Sequence, residues 1–304
     1  MKPLIQILGA TGVGKSQVAI AIAKKFNAEI ISADSVQVYK GFDIGTAKID
    51  PPGRHKIPHH LIDIISDCSQ FNASKFLELS FAAAEQISAR GKIPLVCGGT
   101  ALYLRVMMRG IFTENKNSAT RRQLEEKAAL SGWSALWHEL QAIDPVYAQK
   151  IGPHDKVRLV SALEIYHHCG LSPREAFKHS RSPFAAYSFI RIGLEMDRKK
   201  LYQQINRRAE LMLENGLLAE VEDLLKRYPP SCPPFKALGY KEMMAHLRGE
   251  IDLPAALELI QRHSRQFAKR QLSWFRQEKD IHWFVPENIE AITRFISQCL
   301  TKKP

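Results

Sequence analysis

An eight-residue loop near the N-terminus, Gly9-Ala10-Thr11-Gly12-Val13-Gly14-Lys15-Ser16, leaves this chain few folds to choose from. It fits the pattern G-x-x-x-x-G-K-[ST], follows the apolar run Leu4–Leu8 and opens a helical pattern over Ser16–Phe26. Strand, loop and helix in that order make an anion cradle. Glycines let backbone N–H groups turn inward, and the helix N-terminus adds partial positive charge. Lys15 can reach a terminal phosphate, and the Ser16 hydroxyl can hold Mg²⁺. The loop binds polyphosphate without naming a nucleotide.

Short apolar runs recur at Glu29–Ala33, Leu61–Ile65 and Ile93–Cys97, with a helical pattern over Ser74–Arg90. Strands alternating with helices predict an α/β fold, a P-loop NTPase-like parallel sheet flanked by helices. Beyond it the texture changes. Arg121–Ser131, Ser134–Ala142 and Lys156–His168 read as helices, so residues 113–184 are expected to form an all-helical insertion between a first core segment, 1–112, and its completion, 185–304. Phe189–Met196 returns to core-strand character. A long helix is predicted from Asp197, its N-cap, to a stop near Gly216, and a second from about Asp252 to Glu278. On that second helix Arg262, Arg265, Lys269 and Arg276 share one stripe, opposite Ile260, Phe267 and Trp274. One face can pack while the other tracks phosphates or stays solvated.

Lys and Arg number 43 against 31 Asp and Glu, a net charge of +12, which suits a polyanionic partner. Cys68, Cys97, Cys169, Cys232 and Cys299 are scattered, odd in number and without a CxxC pair. This spacing argues against a disulfide framework or structural zinc and suits a reducing compartment. No signal peptide and no apolar run long enough to span a bilayer is present, so a cytoplasmic location away from membranes is expected.

Other chemistry clusters where strands would end. The Glu29–Ala33 run leads into Asp34, and Ile93–Cys97 leads into Gly98-Gly99-Thr100. In a parallel sheet both ends share the phosphate loop's edge. Asp34 there could ligate Mg²⁺, take a proton from an acceptor nucleophile, or simply cap the following turn. Thr100 could bind a phosphate oxygen. A GTPase would need Asn-Lys-x-Asp, and Asn115-Lys116-Asn117-Ser118 lacks the Asp; nor does a magnesium-binding Asp end the Ile93–Cys97 run. His59 and His60 are adjacent, so on a strand they face opposite ways and read as structural rather than as metal ligands.

Taken together, these residues resemble the tRNA dimethylallyltransferase (tRNA isopentenyltransferase) family over nearly the whole chain. The blocks are Gly9–Ser16; the run from Asp34 to Lys48; Pro58-His59-His60-Leu61-Ile62-Asp63; Gly98-Gly99-Thr100 with Tyr103; Arg158 with Ala162-Leu163-Glu164; Gly239-Tyr240-Lys241; and Arg270-Gln271 with Trp274-Phe275-Arg276. The resemblance implies an enzyme that moves a dimethylallyl group from dimethylallyl diphosphate to the N6 amine of the adenosine immediately 3′ of the anticodon, releasing pyrophosphate. It implies Mg²⁺ as cofactor and the tRNA anticodon stem-loop as partner, with the target base flipped out. Gly9, Ala10, Thr11, Gly12, Val13, Gly14, Lys15, Ser16 and Arg198 would hold the diphosphate, with Ser16 as metal ligand. Asp34 would be the base, and Thr100 would join it in catalysis. Contacts to tRNA would come from Asp34, Ser35, Val36 and Gln37; from Arg121; from Val157, Arg158, Leu159, Val160 and Ser161; and from Lys236, Ala237, Leu238, Gly239, Tyr240 and Lys241.

Departures from the family pattern are modest. Ala10 stands where Pro is common and Ser161 where Arg is frequent, while Lys236 and Lys241 keep charge without the bidentate geometry of Arg. The sequence ends at Pro304 without a Cys/His zinc extension, so an enzyme of bacterial type is expected. A monomer is expected as well. A small-molecule kinase would share the loop and an acidic group, and a non-catalytic RNA-binding protein would share the charge. The kinase does not require the Asp34–Lys48 run, and the binding protein leaves Asp34, Thr100 and Arg198 without roles.

Overall fold

The computed structural model describes residues 1–50, 52–54, 56–112 and 118–301. The expected start of the insertion at Thr113, and Asn115-Lys116-Asn117, lie outside the described residues. The chain divides into two compact units, Met1–Arg105 with Ala186–Pro304, and Val106–Ala185.

In chain order the first unit begins with β1 (Lys2–Gly9), α1 (Lys15–Lys25), β2 (Ala28–Ala33), β3 (His59–His60), α2 (Ala73–Ala89) and β4 (Ile93–Gly98), and the boundary at Arg105 falls within α3 (Ala101–Arg109). The second unit continues with α4 (Ser118–Ser131), α5 (Trp133–Ile143), α6 (Pro145–Ile151), α7 (Lys156–Cys169) and α8 (Pro173–His179). The first unit then resumes with β5 (Tyr187–Leu194), α9 (Arg198–Glu214), α10 (Leu217–Arg227), α11 (Tyr240–Leu247), α12 (Leu253–Phe275), β6 (His282–Phe284) and α13 (Ile289–Thr301).

The strands form a six-stranded sheet in the order β3-β2-β4-β1-β5-β6, with every described pairing parallel. A parallel sheet covered on both faces needs continuous apolar strands, and β1 and β2 comply: Leu4–Gly9 and Ala28–Ala33 are buried throughout. One core cluster joins the sheet to α1, α13 and the start of α9 through Ile7, Ile22, Leu95, Leu201, Ile205 and Ile292. Another gathers α9–α12 around Phe42, Phe235 and Tyr240. The second unit buries Leu124, Leu136, Leu140, Leu159 and Leu163 among its own helices. Its Asp144 is buried and accepts from Tyr147 N at 3.0 Å, Arg174 N at 3.1 Å and Arg174 Nε at 2.6 Å, tying α6 to α8.

Asp197 caps α9 and Asp252 caps α12, each through its carboxylate to backbone N–H groups of the first turn. The Leu61–Ile65 run departs from the predicted strand. Only His59 and His60 pair with β2, and Leu61 and Asp63 adopt left-handed φ of 61° and 58°. The backbone N–H groups of Asp63, Ile64 and Ile65 turn instead to Gln37 O and Val38 O, and the Asp63 carboxylate accepts from Lys48 Nζ at 2.6 Å and Arg54 Nη2 at 3.5 Å. Non-glycine residues in that conformation end strand pairing.

The cysteines bring a second correction. Cys68 and Cys232 form a disulfide across a sequence separation of 164, with Cα atoms 5.0 Å apart. It ties the loop after β3 to the Pro-rich segment before α11. Spacing along the chain carries no information about two cysteines that only the tertiary fold brings together.

Candidate active site

Strand register builds the site. Leu8 of β1 and Ala33 of β2 both pair with Gly98 of β4, so the three strands end in one row. The next residues along each chain are Gly9 with the phosphate loop, Asp34, and Gly99-Thr100. Thr100 N–H donates to Ala33 O at 3.3 Å, which fixes the two acceptor-side strand ends side by side. Asp34, 24 residues beyond Ala10, and Thr100, 66 residues beyond Asp34, thereby share an edge where open α/β sheets hold ligands.

The phosphate loop needs its glycines. Gly14 caps α1 at φ 90°, a conformation that strains any residue with a Cβ. Lys15 reaches back across the loop and donates to Gly9 O at 3.0 Å and Ala10 O at 2.7 Å. Burial pushes its ammonium down to about 8, with Arg208 adding to the fall and the Cys97 thiol and Asp34 opposing it. Cys97 beside it is held neutral, since burial raises the thiol to about 11. Ser16 is exposed at the first turn of α1.

A cavity of about 340 Å³ opens on this edge. Thr11, Asp34, Gly99 and Thr100 form its polar end, while Ile205, Ala209, Met212, Ile260 and Phe267 give an apolar wall from α9 and α12. Asp34 Oδ1 accepts from Val36 N at 2.8 Å and Gln37 N at 3.2 Å. Thus the capping role is real, yet it uses one oxygen. Among the described residues no donor satisfies Oδ2, which is left for a ligand.

Arg208 also lines this cavity, from the apolar stripe of α9. Burial lowers its pKa and Asp34 supports its charge, and no carboxylate forms an ion pair with it among the described residues. A half-buried guanidinium without an ion-pair partner among the described residues is costly unless an anion comes to it. Arg198, the arginine expected from sequence, is exposed and sits 5.2 Å over the Tyr202 ring, outside the cavity lining. The overlooked signal was phasing. Leu201, Ile205, Ala209 and Met212 are buried at helical spacing, and Arg208 adjoins that stripe.

The loop from Lys236 to Lys241 faces the same cavity with Lys236, Ala237, Leu238, Gly239 and Lys241. Ser35 and Val36 join them. Tyr240 does not: it is fully buried and donates to Glu220 Oε1 at 2.7 Å, and its ring closes over Gly45, where a Cβ would lie 2.5 Å from it. Glu220 accepts in turn from Ile44 N at 2.7 Å and Asp43 N at 3.1 Å, so one carboxylate shapes the 43–45 turn. The Gln37 side chain is used internally, accepting from Ser32 Oγ and donating to Thr46 O, both at 3.1 Å. The adjacent histidines are structural: His59 meets Ile57 O at 2.8 Å and His60 meets Glu29 at 2.7 Å.

In the second unit, Leu159 and Val160 are buried in the helical core, so their side chains offer no surface to a partner. The same helix exposes Val157 and Arg158, with Ser161 half-buried. Arg158 is braced by Asp155 at 2.6 Å, and Arg121 by Glu164 at 3.1 Å.

Similarity to known proteins follows this geometry. A family profile described as IPP transferase matches residues 37–278, and one described as isopentenyl transferase matches residues 3–54. The chain is 44% identical over 297 residues to a tRNA dimethylallyltransferase of Carboxydothermus hydrogenoformans, covering 96% of both chains. It is 40% identical over 298 residues to tRNA dimethylallyltransferase 2 of Geotalea uraniireducens, again covering 96% of both. Among solved structures it resembles the tRNA isopentenylpyrophosphate transferase of Bacillus halodurans, with TM-score 0.74, 37% identity and coverage of 99% of this chain and 97% of that one. A eukaryotic dimethylallyltransferase described as acting on tRNA matches at TM-score 0.83 and 30% identity, over 99% of this chain and 78% of that one.

Proposed function

The chain belongs to the tRNA dimethylallyltransferase (tRNA isopentenyltransferase) family, and we propose that it transfers a dimethylallyl group from dimethylallyl diphosphate to the N6 amine of the adenosine immediately 3′ of the anticodon. The observation that carries this reading is one cavity with Thr11 of the phosphate loop and a half-satisfied carboxylate at its polar end and an apolar wall beside them. Its volume, about 340 Å³, falls in the range of roughly 300–1,000 Å³ typical of small-molecule sites.

The diphosphate lies in the loop formed by Gly9–Ser16, met by backbone N–H groups, Lys15 and Arg208. Arg208 takes the part expected of Arg198, because it faces the cavity. The Thr100 hydroxyl donates to a diphosphate oxygen. Ile205, Met212 and Phe267 enclose the five-carbon chain and keep water from the allylic carbon. In the reaction, the adenine nitrogen forms a bond to C1 as the C1–O bond breaks, and the electron pair of that bond leaves on pyrophosphate. Asp34 Oδ2 accepts the proton lost from nitrogen. Stabilising the departing charge and aligning the amine are therefore the protein's main tasks.

Mg²⁺ fits this donor set. Among the described residues no group of three or more His, Cys, Asp or Glu forms an all-protein cage. A hard cation that takes one or two protein oxygens and completes its shell with phosphate oxygens and water suits the Ser16 hydroxyl beside the loop. When bound, it neutralises part of the diphosphate charge. The exposed lysines at 236 and 241 and the surface of the second unit carrying Arg121, Val157 and Arg158 supply contacts to the anticodon stem-loop. No helix is long and apolar enough to cross a membrane among the described residues. A cytoplasmic monomer completes the proposal.

The test uses purified protein, Mg²⁺, labelled dimethylallyl diphosphate and an anticodon stem-loop with adenosines 3′ of the anticodon. Label on RNA with wild type, nearly lost in Asp34→Ala, supports the reading. No transfer, together with ATP-dependent phosphorylation of a small metabolite, overturns it.

A further inference from the structure

Gln271 is a polar side chain on the buried stripe of α12, 5% exposed in company with Ile260, Ala268 and Phe275. A buried amide is tolerated only if its donor and acceptor are both used. Here they are, and both partners belong to the site. Oε1 accepts from the backbone N–H of Thr11 at 2.8 Å, and Nε2 donates to the carbonyl of Gly99 at 2.8 Å. Thr11 is in the phosphate loop, and Gly99 immediately precedes Thr100. The ladder between β1 and β4 ends at Leu8 and Gly98, and the amide continues the linkage beyond it. Gly99 matches this arrangement, because a Cβ there would stand 2.3 Å from Nε2. A side chain at 99 would have to displace the Gln271 amide from this position.

From this geometry we propose that Gln271 is a positioning residue for prenyl transfer, a planar strut that sets the spacing between the phosphate loop and Thr100. It acts through two backbone groups. The proposal rests on the assignment of Thr100 and the loop to diphosphate binding. Its origin in α12 also gives that helix a part in the chemistry, since the same helix brings Ser264, Phe267 and Arg270 to the cavity.

Two variants test it. Gln271→Leu keeps the volume and removes both hydrogen bonds. Gln271→Glu keeps the acceptor for Thr11, but an ionised carboxylate opposes the Gly99 carbonyl. When protonated, the same side chain can again donate to Gly99 while accepting from Thr11, and its buried setting raises the pH at which it does so. Measured are kcat and KM for prenyl transfer from pH 5.5 to 8.5, Kd for inorganic pyrophosphate with Mg²⁺, Kd for the RNA stem-loop, and thermal unfolding.

Gln271→Leu is expected to lower kcat by about 10- to 100-fold, as small misplacements of reacting groups do. Its pyrophosphate Kd should rise about five-fold or more, with RNA Kd within about two-fold of wild type. Gln271→Glu should approach wild-type kcat at the acid end and lose it progressively toward pH 8.5. A Gln271→Glu profile parallel to wild type overturns the proposal, as does a Gln271→Leu protein whose activity falls only in proportion to its unfolded fraction. If Gln271→Leu does not fold, the pH profile of Gln271→Glu decides alone. Should wild type transfer no label to RNA, the functional reading fails instead, while pyrophosphate affinity across the same pH series still reports on the strut.

Discussion

Asp34, Lys15 and Arg208 divide the chemistry at the residue scale, and each makes a separate expectation. Asp34→Ala should lower kcat/KM by about 10²- to 10⁴-fold, the usual contribution of a positioned base, while pyrophosphate Kd stays near wild type. Isothermal titration and single-turnover transfer would separate the two. Lys15 carries a pH signature. Its folded-state pKa, about 8, lies below the ordinary 10.5, so the protonated form is disfavoured by the fold. The resulting cost is full below pH 8 and relieved as pH rises from there to 10.5. Lys15→Met should therefore raise thermal stability at pH 7, by an amount on the order of a few kcal/mol, while weakening pyrophosphate binding. The wild-type advantage over Lys15→Met in pyrophosphate affinity should shrink between pH 7 and 9; an advantage that grew with pH would refute a neutralising Lys15. Arg208→Ala should raise pyrophosphate Kd at least ten-fold, with Arg198→Ala within about two-fold, because only the former faces the cavity.

Two segments carry the expectations at the element scale. The Cys68–Cys232 bridge anchors the Pro-rich segment whose continuation presents Lys236 and Lys241 to the cavity. Reduction, or replacement of both cysteines by serine, should lower stability by about 2–4 kcal/mol, read from urea unfolding with and without reductant. No difference between oxidised and reduced protein would show that the bridge restrains nothing in the unfolded chain. The second segment is α12, whose outward face was legible from phasing. Arg265 is committed to Asn206 at 2.5 Å and Arg276 to Glu195 at 3.5 Å. Arg262 and Lys269 are exposed and have no carboxylate partner among the described residues.

Charge acts on the scale of the whole molecule. A net +12, spread over 43 basic and 31 acidic residues, makes the protein a polycation at neutral pH. Anionic RNA binding to it releases counterions, so raising salt from 50 to 200 mM should weaken stem-loop binding at least about ten-fold. Pyrophosphate, held at short range by backbone N–H groups, Lys15 and Arg208, should respond less steeply to the same change. Parallel fluorescence titrations of both ligands across the salt series would check this, and equal slopes would argue against separate long-range and short-range modes.

Local chemistry decided much of this by itself. Gly9–Ser16 specified a strand, an anion loop and a helix, since glycine torsions and the Lys-Ser pair are readable in eight consecutive residues. Alternating apolar runs specified a parallel α/β sheet, and the strand-end positions of Asp34 and Thr100 followed, because parallel strands end on one edge. Asp197 was readable as a cap for the same local reason. What depended on distance in space was decided only by the tertiary structure. Cys68 found Cys232, the apolar run at Leu61–Ile65 bonded to Gln37 and Val38 instead of β2, and Leu159 and Val160 were taken into a core. Arg208 replaced Arg198 at the cavity because burial depends on which face of α9 meets the phosphate loop. Gln271 joined Thr11 to Gly99 across 260 and 172 residues, a pairing no spacing rule contains. Periodicity reports how a segment meets its own neighbours, whereas partners brought together from remote segments exist only once the sheet and its helices have packed.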